Sequence, residues 1–401
     1  MSERVKGHAI VIAGAGPVGL FAAALLVRAG IRVVVLEKNE FLSMDMRAST
    51  FHPATLDLLA PLELADPLVA RGSITQGWQY MVHGTKQHAV FDLTAIKDLT
   101  AHPYRLQCEQ FHFTNLAVDH LLRSHLFEIR FGHEVIAVSQ QEDGVQLKVR
   151  GRGKEYSAET PWLIAADGGK SSVRKVLGLT FDGSVFPKTS ITLVLNHPFQ
   201  LDVPGLLGVN YVWTESGHYS LMQIRDLWRF SYSPDQDQSV EEALSEPVAQ
   251  AHVQRVFPSS QPYELLQRNY YTLQQRCLDS FRQGRILFAG DSAHLNSPAG
   301  GMGMNSGMHD AQCLVEHLVP VLQGADHSLL DRYSRRRRTI VIDEVQRLSA
   351  RNYRWHRETD PEKRVEIWAE LQAIVNDNVK TREFLLESSM IRSRQLEREI
   401  E

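Results

Sequence analysis

The sequence predicts an α/β fold in which a parallel-sheet domain is interleaved with a mixed β-sheet domain and followed by C-terminal helices. Residues 8–13 form a short apolar run, which a glycine-rich turn connects to an apolar helical segment at 21–28. Further apolar runs of strand length are scattered along the chain as far as residue 289. After about residue 307 the pattern is helical and highly charged. Because strands of one sheet are dispersed in sequence, we expect interleaved rather than consecutive domains.

The first β-α-β unit comprises a strand at 8–13, a helix at 21–28 that Gly30 ends, and a second buried strand at 31–36. The later elements are predicted in this order: a helical stretch at 53–69 interrupted by two prolines, irregular strands at 74–102, a helix at 111–127, a hairpin at 134–149, a buried strand at 162–166, a second sheet at 185–232, a buried strand at 285–289 and helices from about 307 onward.

Composition excludes several classes of protein. The chain has 401 residues, of which 43% are hydrophobic and 22% charged, as in ordinary globular proteins. Its net charge of −4 argues against a nucleic-acid-binding protein, and the absence of a run of 18 apolar residues argues against a membrane span. The polar first residues lead into an apolar segment that ends in glycines, unlike a signal peptide. Three scattered cysteines favour neither a disulfide framework nor a zinc site, so we expect a cytoplasmic protein without a metal.

The turn after the first strand, Gly14-Ala15-Gly16-Pro17-Val18-Gly19, fits the dinucleotide-binding pattern GxGxxG. Its first glycine suits the tight turn, its second the approach of a pyrophosphate, and its third close packing of helix on strand. Glu37 ends the second strand, where it can accept hydrogen bonds from ribose hydroxyls and repel a 2′-phosphate, and Lys38 follows it. The pattern predicts a Rossmann-like site for FAD or NAD rather than NADP. The alternative is an ordinary strand-to-helix turn in which glycine is needed for packing alone.

Two later segments also follow predicted buried strands. The first is Asp167-Gly168-Gly169-Lys170-Ser171-Ser172-Val173-Arg174. The second is Gly290-Asp291-Ser292-Ala293-His294 with the loop Pro298-Ala299-Gly300-Gly301-Met302-Gly303-Met304-Asn305. Together with the GxGxxG turn, they resemble the motifs of the FAD-dependent aromatic hydroxylases, the single-component flavoprotein monooxygenases typified by p-hydroxybenzoate hydroxylase. The three motifs occur in the family's order and span nearly 300 residues.

The residues themselves also favour FAD over NAD. Asp291 is predicted at the carboxyl end of a buried strand, where a carboxylate can hold the hydroxyls of a ribityl chain. The N–H groups of the loop at 298–305 can approach the flavin and stabilise negative charge on its reduced ring. NAD has neither a ribityl chain nor such a ring. The alternatives are a glycine-rich helix entry with a capping aspartate and, for Asp167, a turn before a helix N-cap.

The resemblance implies further cofactor contacts that the pattern alone does not single out. It places Arg47 opposite the pyrophosphate, Gln110 near the isoalloxazine or ribityl group, and Val135 at the adenine. A surface arginine and a capping glutamine are the alternatives. In the family, the segment that begins with Asp167 lies near both FAD and the path of the nicotinamide. Many relatives have Gln where Met302 stands, which puts a side-chain contact there in doubt.

On this basis we expect three regions. They are a discontinuous FAD-binding domain at 1–75, 103–180 and 268–320, a substrate domain at 76–102 and 181–267, and a C-terminal helical region at 321–401. The last region contains four consecutive arginines at 335–338, which we interpret as a solvated helix face.

By resemblance, the chain is expected to be a monooxygenase. NADH or NADPH reduces FAD, O2 adds at the flavin C4a, and the hydroperoxide transfers one oxygen atom to an aromatic or heteroaromatic small molecule. One alternative is a flavin reductase, an oxidase, or a hydroxylase supplied by a separate reductase. Another is a non-catalytic FAD-binding sensor. A homodimer is compatible with the sequence.

The substrate pocket is expected from residues 74–102 and 185–232, which are apolar and aromatic, with Arg225 as the one obvious clamp for a carboxylate. Core packing is the alternative for the aromatic residues, and a satisfied surface or core position is the alternative for each histidine. The candidate lining residues are Tyr211, Trp213, Met222 and Gln223. The candidate bases for deprotonating a phenol are His52, His218 and His294.

Overall fold

The computed structural model describes residues 9–44, 46, 48–186, 189–215, 217–235 and 238–401. Numbered in chain order, the strands are β1 Ile10–Ala13, β2 Val33–Glu37, β3 Thr50–Phe51, β4 Ser73–Thr75, β5 Gly77–Val82, β6 His88–Asp92, β7 Arg105–Gln107, β8 Phe127–Phe131, β9 His133–Gln140, β10 Val145–Gly151, β11 Lys154–Thr160, β12 Leu163–Ala165, β13 Asp182–Val185, β14 Ser190–Leu195, β15 Val209–Trp213, β16 His218–Ile224, β17 Leu227–Tyr232, β18 Leu265–Tyr271, β19 Gln274–Cys277, β20 Arg282–Gln283, β21 Ile286–Phe288 and β22 His294–Leu295.

The α-helices are α1 Pro17–Arg28, α2 Pro53–Leu59, α3 Ala65–Val69, α4 Gln110–Leu121, α5 Ser172–Val176, α6 Phe199–Asp202, α7 Val240–Leu244, α8 Glu246–Val256, α9 Gly303–Leu322, α10 Ser328–Ile340, α11 Arg347–Arg357, α12 Pro361–Val375, α13 Asn378–Ser388 and α14 Ile391–Glu399. Short 3₁₀ segments occur at Ala60–Leu62, Leu93–Ile96 and Gly290–Ser292, and a π-helical segment at Val341–Gln346 joins α10 to α11.

The glycine-rich turn follows β1 of a six-stranded sheet with the order β20-β21-β12-β1-β2-β8. The strands from β21 to β8 run parallel, and the short β20 is antiparallel to β21. At the centre of the sheet, Ile12 pairs with Val35 on one side and with Ile164 on the other. These central strands are apolar and buried, as strands covered on both faces must be. The predicted α/β fold is confirmed.

Helix α1 packs on β1 and β2 and contacts α4 and α9. The approach of α9 depends on two glycines. A Cβ at Gly307 would lie 2.6 Å from Cγ2 of Val18 and 2.9 Å from Cα of Gly290. The first turns of α1 and α9 therefore lie side by side, next to the carboxyl ends of the parallel strands.

A second, mixed sheet has the order β18-β14-β17-β16-β15-β5-β6, and its neighbouring strands are antiparallel except for the parallel pair β15 and β5. Leu193 and Phe230 of this sheet share a buried apolar cluster with Val253 of α8. Helices α12 and α13 contact the β6 end of the sheet and the adjacent 3₁₀ segment. Strand β18 crosses the predicted domain boundary between residues 267 and 268, so the division into domains stays a prediction.

One local prediction was wrong, and two helices were missed. The helix expected at 111–127 ends at Leu121, because the chain turns at Ser124 and enters β8, which pairs with β2. Helices α7 and α8 were not predicted, although α7 begins with a capping box between Ser239 and Glu242, a pattern that is visible in sequence.

Candidate functional site

The three glycines of the first turn differ in what surrounds them. Gly14 has φ +102°, and a Cβ there would lie 2.4 Å from the carbonyl oxygen of Ala166. A Cβ at Gly19 would lie 2.1 Å from the carbonyl oxygen of Gly14, whereas a Cβ at Gly16 would meet nothing within 4 Å. Packing therefore requires the first and third glycines. The second caps α1 and faces open space, where the free N–H groups of the helix can bind an anion.

Glu37 is held at the end of β2 by three hydrogen bonds. Its Oε2 accepts from the N–H of Ala15 at 2.8 Å, and its Oε1 accepts from the N–H and Nδ2 of Asn39 at 3.0 and 2.7 Å. The carboxylate of Glu37 therefore stabilises the glycine turn, and Glu37 also borders the space in front of that turn.

A cavity of about 350 Å³, called the first cavity below, opens in front of the turn. The sequence-predicted residues that line it are Gly14, Gly16, Pro17, Val18, Glu37, Lys38, Gln110, Val135, Asp167, Asp291 and Met304. Gly19 does not line it, and the predicted Arg47 lies outside the described residues. His133 and Glu134 line it as well. Sequence reasoning missed these two, although they directly precede Val135 in β9.

Asp167 presents a buried acceptor to the first cavity. Its Oδ2 accepts from the N–H of Val173 at 3.2 Å, whereas its Oδ1 is buried and has no hydrogen-bond partner among the described residues. Burial raises the pKa of this carboxyl group. A buried acceptor without a partner is unfavourable, so a ligand hydroxyl or N–H group in the cavity would suit it.

Arg174, the last residue of the same motif, does not border the first cavity. Its Nη1 donates to the carbonyl oxygen of Ser292 at 2.9 Å, and its Nη2 donates to that of Gly169 at 2.6 Å. The arginine therefore ties the Asp167 segment to the turn that carries Asp291.

A second cavity, of about 430 Å³, lies between the glycine-rich loop at 298–305 and the seven-stranded sheet. It shares Ala48, Asp291 and Met304 with the first cavity, so the two cavities meet at these residues. The predicted loop residues that also line it are Pro298, Gly300, Gly301 and Gly303.

His52 and Asn305 shape this loop from behind. The backbone N–H of His52 donates to Oδ1 of Asn305 at 2.9 Å, and Nδ2 of Asn305 donates to the carbonyl oxygens of Thr50 and Gly301 at 2.8 and 2.7 Å. Burial lowers the pKa of His52 to about 3, so its neutral ring donates from Nε2 to the carbonyl oxygen of Gly300, 2.8 Å away. Neither His52 nor Asn305 lines a cavity; both hold the loop in place.

Met302, predicted to contact the cofactor, also lines neither cavity. Its side chain is buried in a cluster with Ala54, Ile340 and Leu348, because the loop turns it toward the C-terminal helices.

An ion-pair network that sequence reasoning missed lies behind the Asp291 turn. Asp310 accepts from the N–H of Gly290 at 2.9 Å, and its carboxylate also bonds His294 and Arg337, each at 2.7 Å. Arg337 in turn pairs with Glu397 of α14 at 2.5 Å. Burial raises the pKa of Asp310, but the charges and hydrogen bonds of His294 and Arg337 outweigh it and hold that pKa below its ordinary value.

This network corrects two expectations. The arginine run at 335–338 is not simply a solvated helix face, because Arg337 is fully buried and forms ion pairs with Asp310 and Glu397. His294 is buried in the network and lines neither cavity, so it does not face a substrate.

The seven-stranded sheet forms the opposite wall of the second cavity. Of the substrate candidates, Tyr211 and Met222 line it, as does the candidate base His218. Trp213 does not, because α11 covers it and its Nε1 donates to the carbonyl oxygen of Trp355 at 3.1 Å. Gln223 does not either, because it follows Met222 and strand alternation turns it to the other face.

The second cavity is more basic than the apolar pocket that the sequence predicted. Arg105, Arg229 and Arg357 line the second cavity. Arg225, expected as the clamp, is exposed, and its Nε donates to the carbonyl oxygen of Arg71 at 2.8 Å. The expected clamp was therefore wrong. The arginines that line the cavity come from β7, β17 and α11, which no local sequence pattern connects.

Comparison with known proteins agrees with this geometry. A family model described as FAD binding domain matches residues 8–348. A para-nitrophenol 4-monooxygenase of Pseudomonas sp. strain WBC-3 is 31% identical over 396 residues, which cover 96% of each chain. The chain belongs to the FAD-dependent aromatic hydroxylases.

Other relatives agree with this assignment. A 6-hydroxy-3-succinoylpyridine 3-monooxygenase of Pseudomonas putida is 30% identical over 354 residues, 86% of this chain and 88% of its own. The crystal structure of a p-nitrophenol 4-monooxygenase from Pseudomonas putida DLL-E4 matches with a TM-score of 0.89 at 32% identity, covering 96% of this chain and 98% of that one. This aromatic hydroxylase is therefore a FAD-dependent monooxygenase, as the motif resemblance implied. Within its described residues, no helix is long and apolar enough to cross a bilayer.

Proposed function

We propose that this hydroxylase uses NADH or NADPH and O2 to hydroxylate a small aromatic or heteroaromatic compound held in the second cavity, while FAD binds in the first cavity. The observation that carries the proposal is the meeting of the two cavities at Ala48, Asp291 and Met304. A cofactor that extends from one cavity to this junction can meet a ring compound in the other.

Three features of the first cavity support a dinucleotide there. Gly16 leaves open space before the N-terminus of α1, which suits a pyrophosphate. Glu37 offers a fixed carboxylate at the end of β2, and Asp167 offers a buried oxygen without a protein partner. Among the other predicted residues, we propose that Lys38, Gln110, Val135 and Asp291 contact FAD. We propose that Gly19, Met302 and Asn305 do not contact it but hold the glycine turn and the loop at 298–305 in place.

When bound, FAD supplies the redox chemistry that couples oxidation of NAD(P)H to ring hydroxylation. The chain supplies position and charge. The loop at 298–305 leads into α9, so its N–H groups and the positive end of the helix favour negative charge on the flavin. His52 and Asn305 keep this loop fixed, so that little reorganisation is needed when charge develops.

Of the three candidate bases, His218 is the one that lines a cavity. Its ring lies 4.8 Å from that of His356, which is buried. We propose that a ring nitrogen of His218 accepts the proton of the substrate hydroxyl, because a phenolate ring is richer in electrons than a phenol.

Anaerobic reduction tests the proposal. NADH and NADPH are mixed with the holoenzyme, with and without hydroxylated ring compounds, and the flavin absorbance is followed; the panel begins with the compounds named for the relatives, para-nitrophenol and 6-hydroxy-3-succinoylpyridine. We expect one ring compound to accelerate reduction and, after isotopically labelled O2 is admitted, to gain one labelled oxygen atom.

Other outcomes separate the alternatives. Reduction by NAD(P)H without an oxygenated product would favour a reductase or oxidase. Failure of both nucleotides to reduce the flavin with any compound would favour a hydroxylase that depends on a separate reductase, or a sensor.

A further inference from the structure

The second cavity contains more positive than negative charge. Arg105, Arg229 and Arg357 line it, whereas Asp291, at the junction with the first cavity, is the acidic residue that lines it among those described.

Arg105 lies at the start of β7 and is 3% exposed. Neutral groups contact it: Nη2 lies 3.5 Å from the carbonyl oxygen of Ser388, and the guanidinium stacks 3.7 Å from the ring centroid of Trp78. Its Nε is buried and has no hydrogen-bond partner among the described residues. No described Asp or Glu forms an ion pair with it.

Arg357, at the end of α11, is held by neutral groups too. Its Nη1 donates to the carbonyl oxygen of Thr189 at 3.0 Å and to Oγ of Ser233 at 2.7 Å, and its guanidinium lies 4.9 Å from the ring centroid of Tyr353. Within the described parts of the chain, it has no acidic partner either.

Buried cations without counter-charges are costly, because removing a charge from water is unfavourable unless an opposite charge replaces the lost solvation. Stacking on Trp78 and hydrogen bonds to carbonyl groups offset part of this cost for Arg105. Arg105 is buried and Arg357 is half-buried, and both line the same cavity without an acidic partner among the described residues, which is the arrangement that a site for an anion requires. Elsewhere in the fold, buried Arg337 is paired with two carboxylates.

The seven-stranded sheet, which forms the wall opposite the glycine-rich loop, adds neutral hydrogen-bonding groups to the second cavity. Thr192, Ser231, Ser220 and Tyr211 face one another in register across β14, β17, β16 and β15, and all four line the cavity. The hydroxyls of Thr192 and Ser231 lie 2.7 Å apart. This row of hydroxyls can bind the oxygen atoms of a polar ring substituent without adding negative charge to the cavity.

We propose that the second cavity selects ring compounds that carry an ionised substituent, such as a carboxylate, in addition to the hydroxyl group, and that Arg105 and Arg357 provide the counter-charge. The inference rests on the proposed function in so far as that function places a ring compound in this cavity. It names the substrate class more narrowly, as an aromatic or heteroaromatic acid.

Binding to the oxidised holoenzyme tests the inference without turnover. Perturbation of the flavin absorbance is titrated with two matched pairs, 4-hydroxybenzoate with 4-hydroxybenzamide and 3-hydroxybenzoate with 3-hydroxybenzamide. Within each pair the shape is similar and the charge differs. We expect at least one carboxylate to bind roughly tenfold more tightly than its amide, as expected for a hydrogen bond to a charged group.

Variants then locate the counter-charge. Arg105→Met and Arg357→Met should each reduce the preference for the carboxylate by about fivefold or more, and Arg105→Lys and Arg357→Lys should restore part of it. The control is Arg354→Met, because Arg354 lies on the same helix as Arg357 but is exposed. Thermal unfolding of every variant shows whether the fold is kept, and the Lys variants serve if a Met variant does not fold.

Equal affinity within both pairs would overturn the inference, as would an undiminished carboxylate preference in both Met variants. A holoenzyme that prefers the carboxylates but yields no hydroxylated product with any ring compound would instead contradict the proposed function and leave this inference standing.

Discussion

The two cavities are built in different ways. The first cavity borders backbone at short glycine-containing motifs, and its key positions, such as Gly16 and Asp167, each lie directly after a strand of the parallel sheet. The second cavity borders the glycine-rich loop at 298–305 on one side, but the rest of its lining includes side chains that come from β7, β14 to β17, and α11. A site made by backbone leaves a local mark in the sequence, because it demands glycine at fixed spacing. A site made by side chains on separate strands leaves no such local pattern, because strand pairing brings those side chains together.

The largest expected effect is on stability, and it tests how much the buried ion-pair network behind the Asp291 turn contributes to the fold. Arg337→Met should lower the free energy of unfolding by about 3–5 kcal/mol, because Glu397 would remain buried without its counter-charge and Asp310 would keep only His294 as a partner. Denaturant unfolding of the holoenzyme measures this. Arg335→Met is the matched control, since Arg335 is exposed in the same helix and should change stability by no more than about 0.5 kcal/mol. An Arg337→Met protein as stable as the control would show that the network contributes nothing.

The next prediction separates packing glycines from the glycine that faces the cavity. Gly16→Val should lower the stability of the apoprotein by no more than about 1 kcal/mol, the cost of a poorer N-cap, because Gly16 has φ −72° and no neighbour for a Cβ to meet. It should weaken FAD binding by up to about a hundredfold, because the side chain would fill the space proposed for the pyrophosphate. Titration of apoprotein with FAD measures this, and Gly16→Ala should give a smaller loss. Unchanged FAD affinity in both variants would contradict the assignment of the first cavity.

Asp291 lies at the junction, so its replacement touches both cavities. Asp291→Ala should weaken FAD binding by about tenfold or more, the usual loss for a hydrogen bond to a charged group. Asp291→Asn keeps an acceptor of the same shape and should lose less. FAD dissociation constants for the two variants measure the effect. A fully FAD-loaded Asp291→Ala protein at equimolar FAD would contradict the proposed contact.

The limits of sequence reasoning follow the same division. The β-α-β unit, the glycine turn and motif residues around the first cavity such as Gly16 and Asp167 were predicted because each needs a local pattern, whereas Gln110 and Val135 were expected from the resemblance alone. Tyr211 was predicted, but Arg105, Ser220 and Ser231 were missed because their common location depends on strand pairing, for example of Ser220 with Ser231 and with Tyr211. Trp213 was misassigned because alternation along β15 places it on the same face as Tyr211 but does not show that α11 covers it.

In one respect the two regions are expected to behave alike. His52, behind the glycine-rich loop, and His356, in the wall of the second cavity, are both buried, and burial lowers the pKa of each to about 3. Each folded pKa is below the value of 6.5 in the unfolded chain. Each histidine therefore stabilises the fold fully above that unfolded pKa, and its contribution is lost as the pH falls toward the folded pKa.

At about pH 5.5, each histidine should have lost roughly 1.4 kcal/mol of its contribution to the free energy of unfolding. His52→Gln and His356→Gln should each flatten the dependence of that free energy on pH by this amount, and the double variant by about twice as much. Glutamine keeps a donor for the carbonyl oxygens of Gly300 and Tyr219, so the comparison isolates the titration. Denaturant unfolding between about pH 5.5 and pH 7.5 measures it. A slope unchanged by either substitution would mean that water reaches these rings, and that neither region is as closed as its packing indicates.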